Sequence, residues 1–131
     1  MPLDVVIVCI MALFPGMVYW LSVPFLPRFM LYKSIDNMWV GILMSTFGIS
    51  YFTASFMTGK ILLKHINRVN CILLAALLTI INLIGVGLLE YVDHSIRIKC
   101  LGVFFFSCGG FGKGMNTTAS FAIVSAYKKN R

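Results

Sequence analysis

The chain has 131 residues, of which 60% are hydrophobic and only 11% charged, against about 45–50% and 25% in soluble domains. A globule of this size has too little interior to hide so much apolar side chain, so the composition excludes a water-soluble fold and calls for lipid as the solvent. The formal charge of +7 then reports how loops lie across a membrane before it reports any partner, which argues against nucleic acid.

In chain order, charged residues mark out four apolar segments, because an ionised side chain at the bilayer centre costs about 2.5–3.5 kcal/mol on insertion scales. The first runs from Val5 to Pro27, between Asp4 and Arg28, and the second from Asn37 to Gly59, between Asp36 and Lys60. The third runs from Val69 to Leu89, between Arg68 and Glu90; the fourth, Leu101 to Tyr127, carries one charge, Lys113. A hydrocarbon core about 30 Å thick is crossed by about 20 helical residues. The expected fold is therefore all-α and integral to the membrane, a single domain over 1–131 with four transmembrane helices near 5–29, 38–63, 69–90 and 98–127. Short loops make neighbouring helices antiparallel. Runs such as Cys71-Ile72-Leu73-Leu74-Ala75-Ala76-Leu77-Leu78 do not alternate, so a β-barrel is discarded. The first segment lacks a basic start and holds Pro15, Pro24 and Pro27, so it reads as a retained helix kinked at Pro15 rather than a signal peptide.

Orientation follows from basic residues in short loops. Lys60, Lys64 and Arg68 join the tail's Lys128, Lys129 and Arg131 on one side, against Arg28, Lys33, Arg97 and Lys99 on the other. Both termini and the second loop are therefore expected in the cytoplasm. Trp20, Trp39, Tyr32 and Tyr91 are expected at the opposite interface, where amphipathic rings sit half wet.

Small residues recur at helical spacing in two segments: Gly41, Ser45, Gly48, Ser55 and Gly59 in the second, and Gly110, Gly114 and Thr118 in the fourth. In lipid, helices associate by close van der Waals contact over such residues. The stripes read as packing faces of a bundle or, functionally, as sliding or cavity-lining faces.

Lys113 is the sharpest single residue, roughly 18 Å along its helix from Leu101 and so near mid-bilayer. It reads as a substrate or coupling-ion site facing a water-filled cavity, as a structural cation paired with a carbonyl or acid, or as a lysine kept neutral by its surroundings. No acid lies at mid-membrane depth in any segment, so its partner is substrate, backbone or another part of the protein. Asn82 and Asn116 are weaker candidates for the same pathway, since membrane asparagines more often make packing hydrogen bonds.

Other motifs carry no chemistry. Cys9, Cys71, Cys100 and Cys108 follow neither a disulfide framework nor a metal-ligand spacing, so no metal is expected. Asn116-Thr117-Thr118 matches a glycosylation acceptor by letter but lies inside a span. The run Gly109-Gly110-Phe111-Gly112-Lys113-Gly114 has Ser107 where a phosphate-binding loop needs its first glycine. His65 and His94 fall in loops on opposite sides. No nucleophile or paired-carboxylate constellation exists, so neither an enzyme nor a cofactor is expected.

Three segments carry a family resemblance. Ser22-Val23-Pro24-Phe25-Leu26-Pro27 looks like the proline-rich outer end of helix one in drug:proton antiporters. Gly59-Lys60-Ile61-Leu62-Leu63-Lys64-His65-Ile66-Asn67-Arg68 lies where a G-x-L-x-D-R-x-G-R-R signature loop follows helix two; Gly59, Lys64 and Arg68 fit it, whereas Leu63 and Ile66 replace its Asp and second Gly. Gly110 to Ile123 is similar to a fourth helix with consecutive G-x-G and T-A-S-F-A-I motifs. Over nearly its full length the chain resembles the major facilitator superfamily of secondary transporters, closest to its vesicular amine and polyamine branch. The resemblance implies a twelve-helix fold of two halves built from three-helix repeats, of which this chain is the amino-terminal portion. Phe106 stands where the family's fourth helix carries Arg, and Lys113 follows on the same face two turns deeper. The amine branch's acid in helix one is missing.

The expected function is a secondary carrier of small organic solutes, with amines or polyamines exchanged for protons as the resemblance implies, in a plasma or vesicle membrane. Its partners are the bilayer, the solute, and the rest of the transporter or other membrane helices. The alternative is a non-transporting four-helix assembly or scaffold protein that uses its small-residue faces to bind helices. A small multidrug exporter would need a glutamate in helix one, which Val5 to Pro27 does not contain.

Overall fold

The computed structural model describes residues 3–129, and within them there is no strand. Four long helices account for nearly all of it: α1 (Leu3–Tyr32), α2 (Met38–Met57), α3 (Arg68–Leu88) and α4 (Ser95–Lys129). α2 continues through a π-helical segment, Thr58–Leu62, and a last α-turn, Leu63–His65. α3 ends in a 3₁₀ turn, Leu89–Tyr91. Each helix, with these extensions, is long and apolar enough to cross a membrane. The protein is an all-α, multi-pass membrane protein.

The helices overrun the spans read from charge. α1 continues three residues past 29 to Tyr32, and α4 starts at Ser95, taking Arg97 and Lys99 into its first turns. A helix of 35 residues is about 52 Å long, far more than the hydrocarbon thickness. Hydrocarbon depth limits where charges sit, not where hydrogen-bonded turns stop. α1 also stays helical through Pro15, Pro24 and Pro27.

α1 stops in a Schellman turn. The Ile35 amide donates to the Met30 carbonyl at 2.9 Å and the Ser34 amide to Leu31 at 3.0 Å, the paired bonds of that motif. Ile35 and Met30 are both buried, supplying its apolar contact. The turn places Ser34 at φ 55°, a left-handed conformation that a side chain disfavours by about 1–2 kcal/mol. Ser34→Gly is accordingly expected to stabilise the bundle by up to about 1 kcal/mol, read as a higher denaturation midpoint in detergent. An unchanged or lower midpoint would contradict it.

Beside this turn, Lys33 joins two loops. Its Nζ donates to the Glu90 carbonyl at 2.9 Å and the Val92 carbonyl at 3.2 Å, and lies 3.6 Å from Asp93. That is the one ion pair among the described residues. Lys99 caps the same end, over the Trp39 ring at 4.7 Å, while Tyr32 and Tyr91 are exposed there. Trp20 lies 12 residues before Tyr32 in α1, about 18 Å along the helix from it.

Burial runs unevenly along the bundle. Leu26, Phe29 and Met30 of α1, Leu43 and Phe47 of α2, and Leu89, Ile98 and Phe106 form one apolar core toward the Lys33 end. A smaller core of Ala54, Ala75 and Met115 lies toward the other end. α4 is the most buried helix and α1 the most exposed.

α4 takes its central place because small residues line two of its faces. Facing α2, a Cβ on Gly110 would overlap the Phe47 carbonyl, and one on Gly114 would lie 2.5 Å from the Tyr51 carbonyl and 2.9 Å from Ala54 Cβ. Facing α3, a Cβ on Gly109 would meet the Asn82 amide at 2.6 Å, and one on Gly112 the Ala75 carbonyl at 2.8 Å. These are close approaches that only glycine permits. Thr118 continues the α2-facing line with its methyl near Gly59.

Of the stripe expected on α2, Ser55 and Gly59 meet α4, whereas Gly41, Ser45 and Gly48 do not. A Cβ added to Gly41 or Gly48 would have no neighbour within 4 Å, and Ser45 is exposed. Leu43, Phe47, Ala54 and Thr58 are the buried positions of that side instead, while Ser55 donates to the Gly114 carbonyl at 3.4 Å. The reason is complementarity: once α4 supplies the small residues, α2 can present larger ones to it.

Candidate functional site

Lys113 sits 18 residues from the start of α4 and 16 from its end, hence about 27 Å and 24 Å from the two termini. Its ammonium lies 4.8 Å from the ring centre of Tyr19 in α1, and 5.9 Å from those of Phe47 and Tyr51 in α2. Phe47 and Tyr51 are one helical turn apart, which puts both rings on one face of α2. Tyr19 stacks on Phe47 with ring centres 4.4 Å apart and planes 26° apart, so α1 and α2 close on each other through aromatic contact. A shallow, open cavity of about 200 Å³ remains, lined by Tyr19, Phe47, Gly48, Tyr51 and Lys113. Gly48, read above as a packing residue, instead forms part of that lining, where a side chain would intrude.

The rings stabilise the ammonium only in part. A cation over aromatic faces gains about 0.5–2 kcal/mol, less than the penalty of a lysine at membrane depth. Among the described residues no carboxylate lies within ion-pair distance of Lys113 and no acceptor takes a hydrogen bond from its Nζ. The chain's acids are Asp4, Asp36, Glu90 and Asp93, all at helix ends or in loops. The charge is therefore left for water or a ligand to compensate.

Asn116 does different work. Proline at position 15 has no amide hydrogen, so the Met11 carbonyl, four residues earlier, loses its helical donor. Asn116 Nδ2 donates to that carbonyl at 2.9 Å, and Ser120 Oγ reaches Asn116 Oδ1 at 3.5 Å. The amide thus ties α1 to α4 at the point where α1's ladder is broken. Asn82 of α3 is buried against Gly109 of α4, with its Oδ1 unpartnered among the described residues, and does not line the Lys113 cavity. The three pathway candidates therefore do not converge on one pocket.

The signature-loop residues also lie apart. Gly59 is in the π-helical segment, Lys64 is exposed, and Arg68 donates to the Ala122 carbonyl of α4 at 3.2 Å. All four cysteines are free, and the described residues hold no cluster fit for a metal ion.

Tyr19, Phe47 and Tyr51 are the functional candidates that sequence reasoning missed. A signal was present: Tyr19 and Tyr51 stand in the middle of apolar spans, where a phenol needs a hydrogen-bond partner or a wet surface. No protein-family model, curated protein or solved structure matches this chain. The fold and the site define a membrane-spanning four-helix bundle organised around α4, with a lysine that has no ion-pair partner among the described residues in an aromatic cavity midway along it.

Proposed function

We propose that this protein forms part of a secondary carrier for small organic solutes. The observation that carries the reading is Lys113: a charge at the centre of the longest helix, open to a cavity and without a counter-ion among the described residues. Ionisable groups held at membrane depth mark solute or ion paths. The mobility such a carrier needs has support in α1, the most exposed helix, whose backbone ladder is interrupted at Pro15, where a side-chain amide of α4 takes over the missing bond. Likeness to the major facilitator superfamily supports the same reading, with proton exchange as its coupling and further helices completing the solute path.

The test is uptake into membrane vesicles from cells expressing the protein, under an imposed proton gradient, with radiolabelled spermidine and benzenesulfonate as probes. Saturable uptake that a protonophore abolishes, and that falls at least tenfold in Lys113→Gln, is expected. Uptake no greater than in vesicles lacking the protein would sink the proposal.

The open α2 stripe favours a second reading, a non-transporting assembly protein. Gly41 and Gly48 leave room for another helix to approach. A cysteine placed at Ser45 that cross-links to another membrane chain, in vesicles without solute flux, would select it.

A further inference from the structure

We infer that the Lys113 cavity receives the anionic group of a small organic solute, of the carboxylate or sulfonate class, and discriminates against amines. This rests on the carrier reading for the ligand's passage across the membrane, though not for its binding. Lys113 offers three N–H donors, none of which is taken by an acceptor among the described residues. Among the described residues its close partners are ring faces, at 4.8 to 5.9 Å, which soften the charge without satisfying its hydrogen bonds. Tyr19 and Tyr51 line the same cavity, and neither hydroxyl has a partner among the described residues. An oxyanion would take up the lysine's donors and come within reach of two phenols, in surroundings where charge-assisted hydrogen bonds are strong.

A cation has no comparable welcome. It would meet a like charge, and no carboxylate lines the cavity; Asp93, at the Lys33 end, already pairs with Lys33. The cavity of about 200 Å³ has room for about six water molecules, enough for an acidic head group and part of an attached ring. Gly48 keeps its rim clear. The hydrophobic remainder of such a solute would lie against Phe47 and Tyr19.

Two probes with the same ring and permanent opposite charges decide the matter: benzenesulfonate and benzyltrimethylammonium, titrated by equilibrium dialysis against the full chain in phosphatidylcholine nanodiscs. Saturable benzenesulfonate binding is expected, weakened at least tenfold in Lys113→Gln and kept within threefold in Lys113→Arg, with no saturable binding of the cation. Equal binding of both probes, or unchanged sulfonate binding in a helical Lys113→Gln, would overturn the inference. Gly48→Leu fills the rim without touching the charge and provides a second variant; it is expected to lower sulfonate affinity at least tenfold, and full retention would also overturn the inference. Sulfonate binding without vesicle uptake of any solute would leave this inference standing and remove the carrier reading. Spermidine uptake together with binding of the cation probe would do the reverse.

Discussion

Gly110→Leu is expected to detach α2 from α4 and abolish the folded bundle. Even a Cβ at this position overlaps the Phe47 carbonyl and comes to 3.0 Å from Ser50 Cβ, so a leucine can be seated only if one helix backbone moves. Overpacking a fitted interior costs about 1–3 kcal/mol, and backbone neighbours cannot yield by changing rotamer, so the effect belongs at or beyond the top of that range. Gly110→Ala should fall between the two. Gly41→Leu makes the control, since nothing lies within 4 Å there; its effect is expected within about 0.5 kcal/mol. The measurement is the denaturation midpoint in mixed micelles, followed by circular dichroism and by the fluorescence of Trp39 near the start of α2. Equal midpoints for Gly110→Leu and Gly41→Leu would refute the assignment of α4 as the helix that supplies the close approach.

The second large effect is one of coupling. Asn116→Leu keeps the side-chain volume but leaves the Met11 carbonyl with no donor, since Pro15 cannot supply one. A partly buried acceptor so orphaned costs about 1 kcal/mol. In a Pro15→Ala background the alanine amide can complete the α1 ladder, and Asn116→Leu is then expected to cost less than about 0.5 kcal/mol. A coupling near 1 kcal/mol in this double-mutant cycle would show that the amide stands in for the bond proline removes. Additive effects would mean that Asn116 acts through packing alone. The cycle bears on function as well, because this is a side-chain hydrogen bond between α4 and the most exposed helix.

These two results also mark where one-dimensional reading stops. Four helices, their order and their approximate limits were legible from the placement of charges, because the penalty for a charge at membrane depth depends on position along the chain and little else. Lys113 was legible for the same reason. The stripe Gly110, Gly114 and Thr118 meets α2, yet Gly41, Ser45 and Gly48 do not meet α4. Periodicity gives the face of a helix but not what stands opposite it, and two equally small stripes look alike in a sequence.

The letters Pro15 and Asn116 are separated by 101 positions, and nothing local links them. Their bond exists only because antiparallel packing brings the middle of α1 to the middle of α4. The same holds for the aromatic cavity, assembled from one ring on α1, two on α2 and a lysine on α4. Composition and charge spacing alone make this chain a four-helix membrane protein with a cation at mid-depth, since transfer into lipid depends on each segment's own residues. Which helix lies at the centre, which glycines touch backbone and which side chains surround the cation were decided by tertiary packing, because close contact is a property of pairs of surfaces and not of either one.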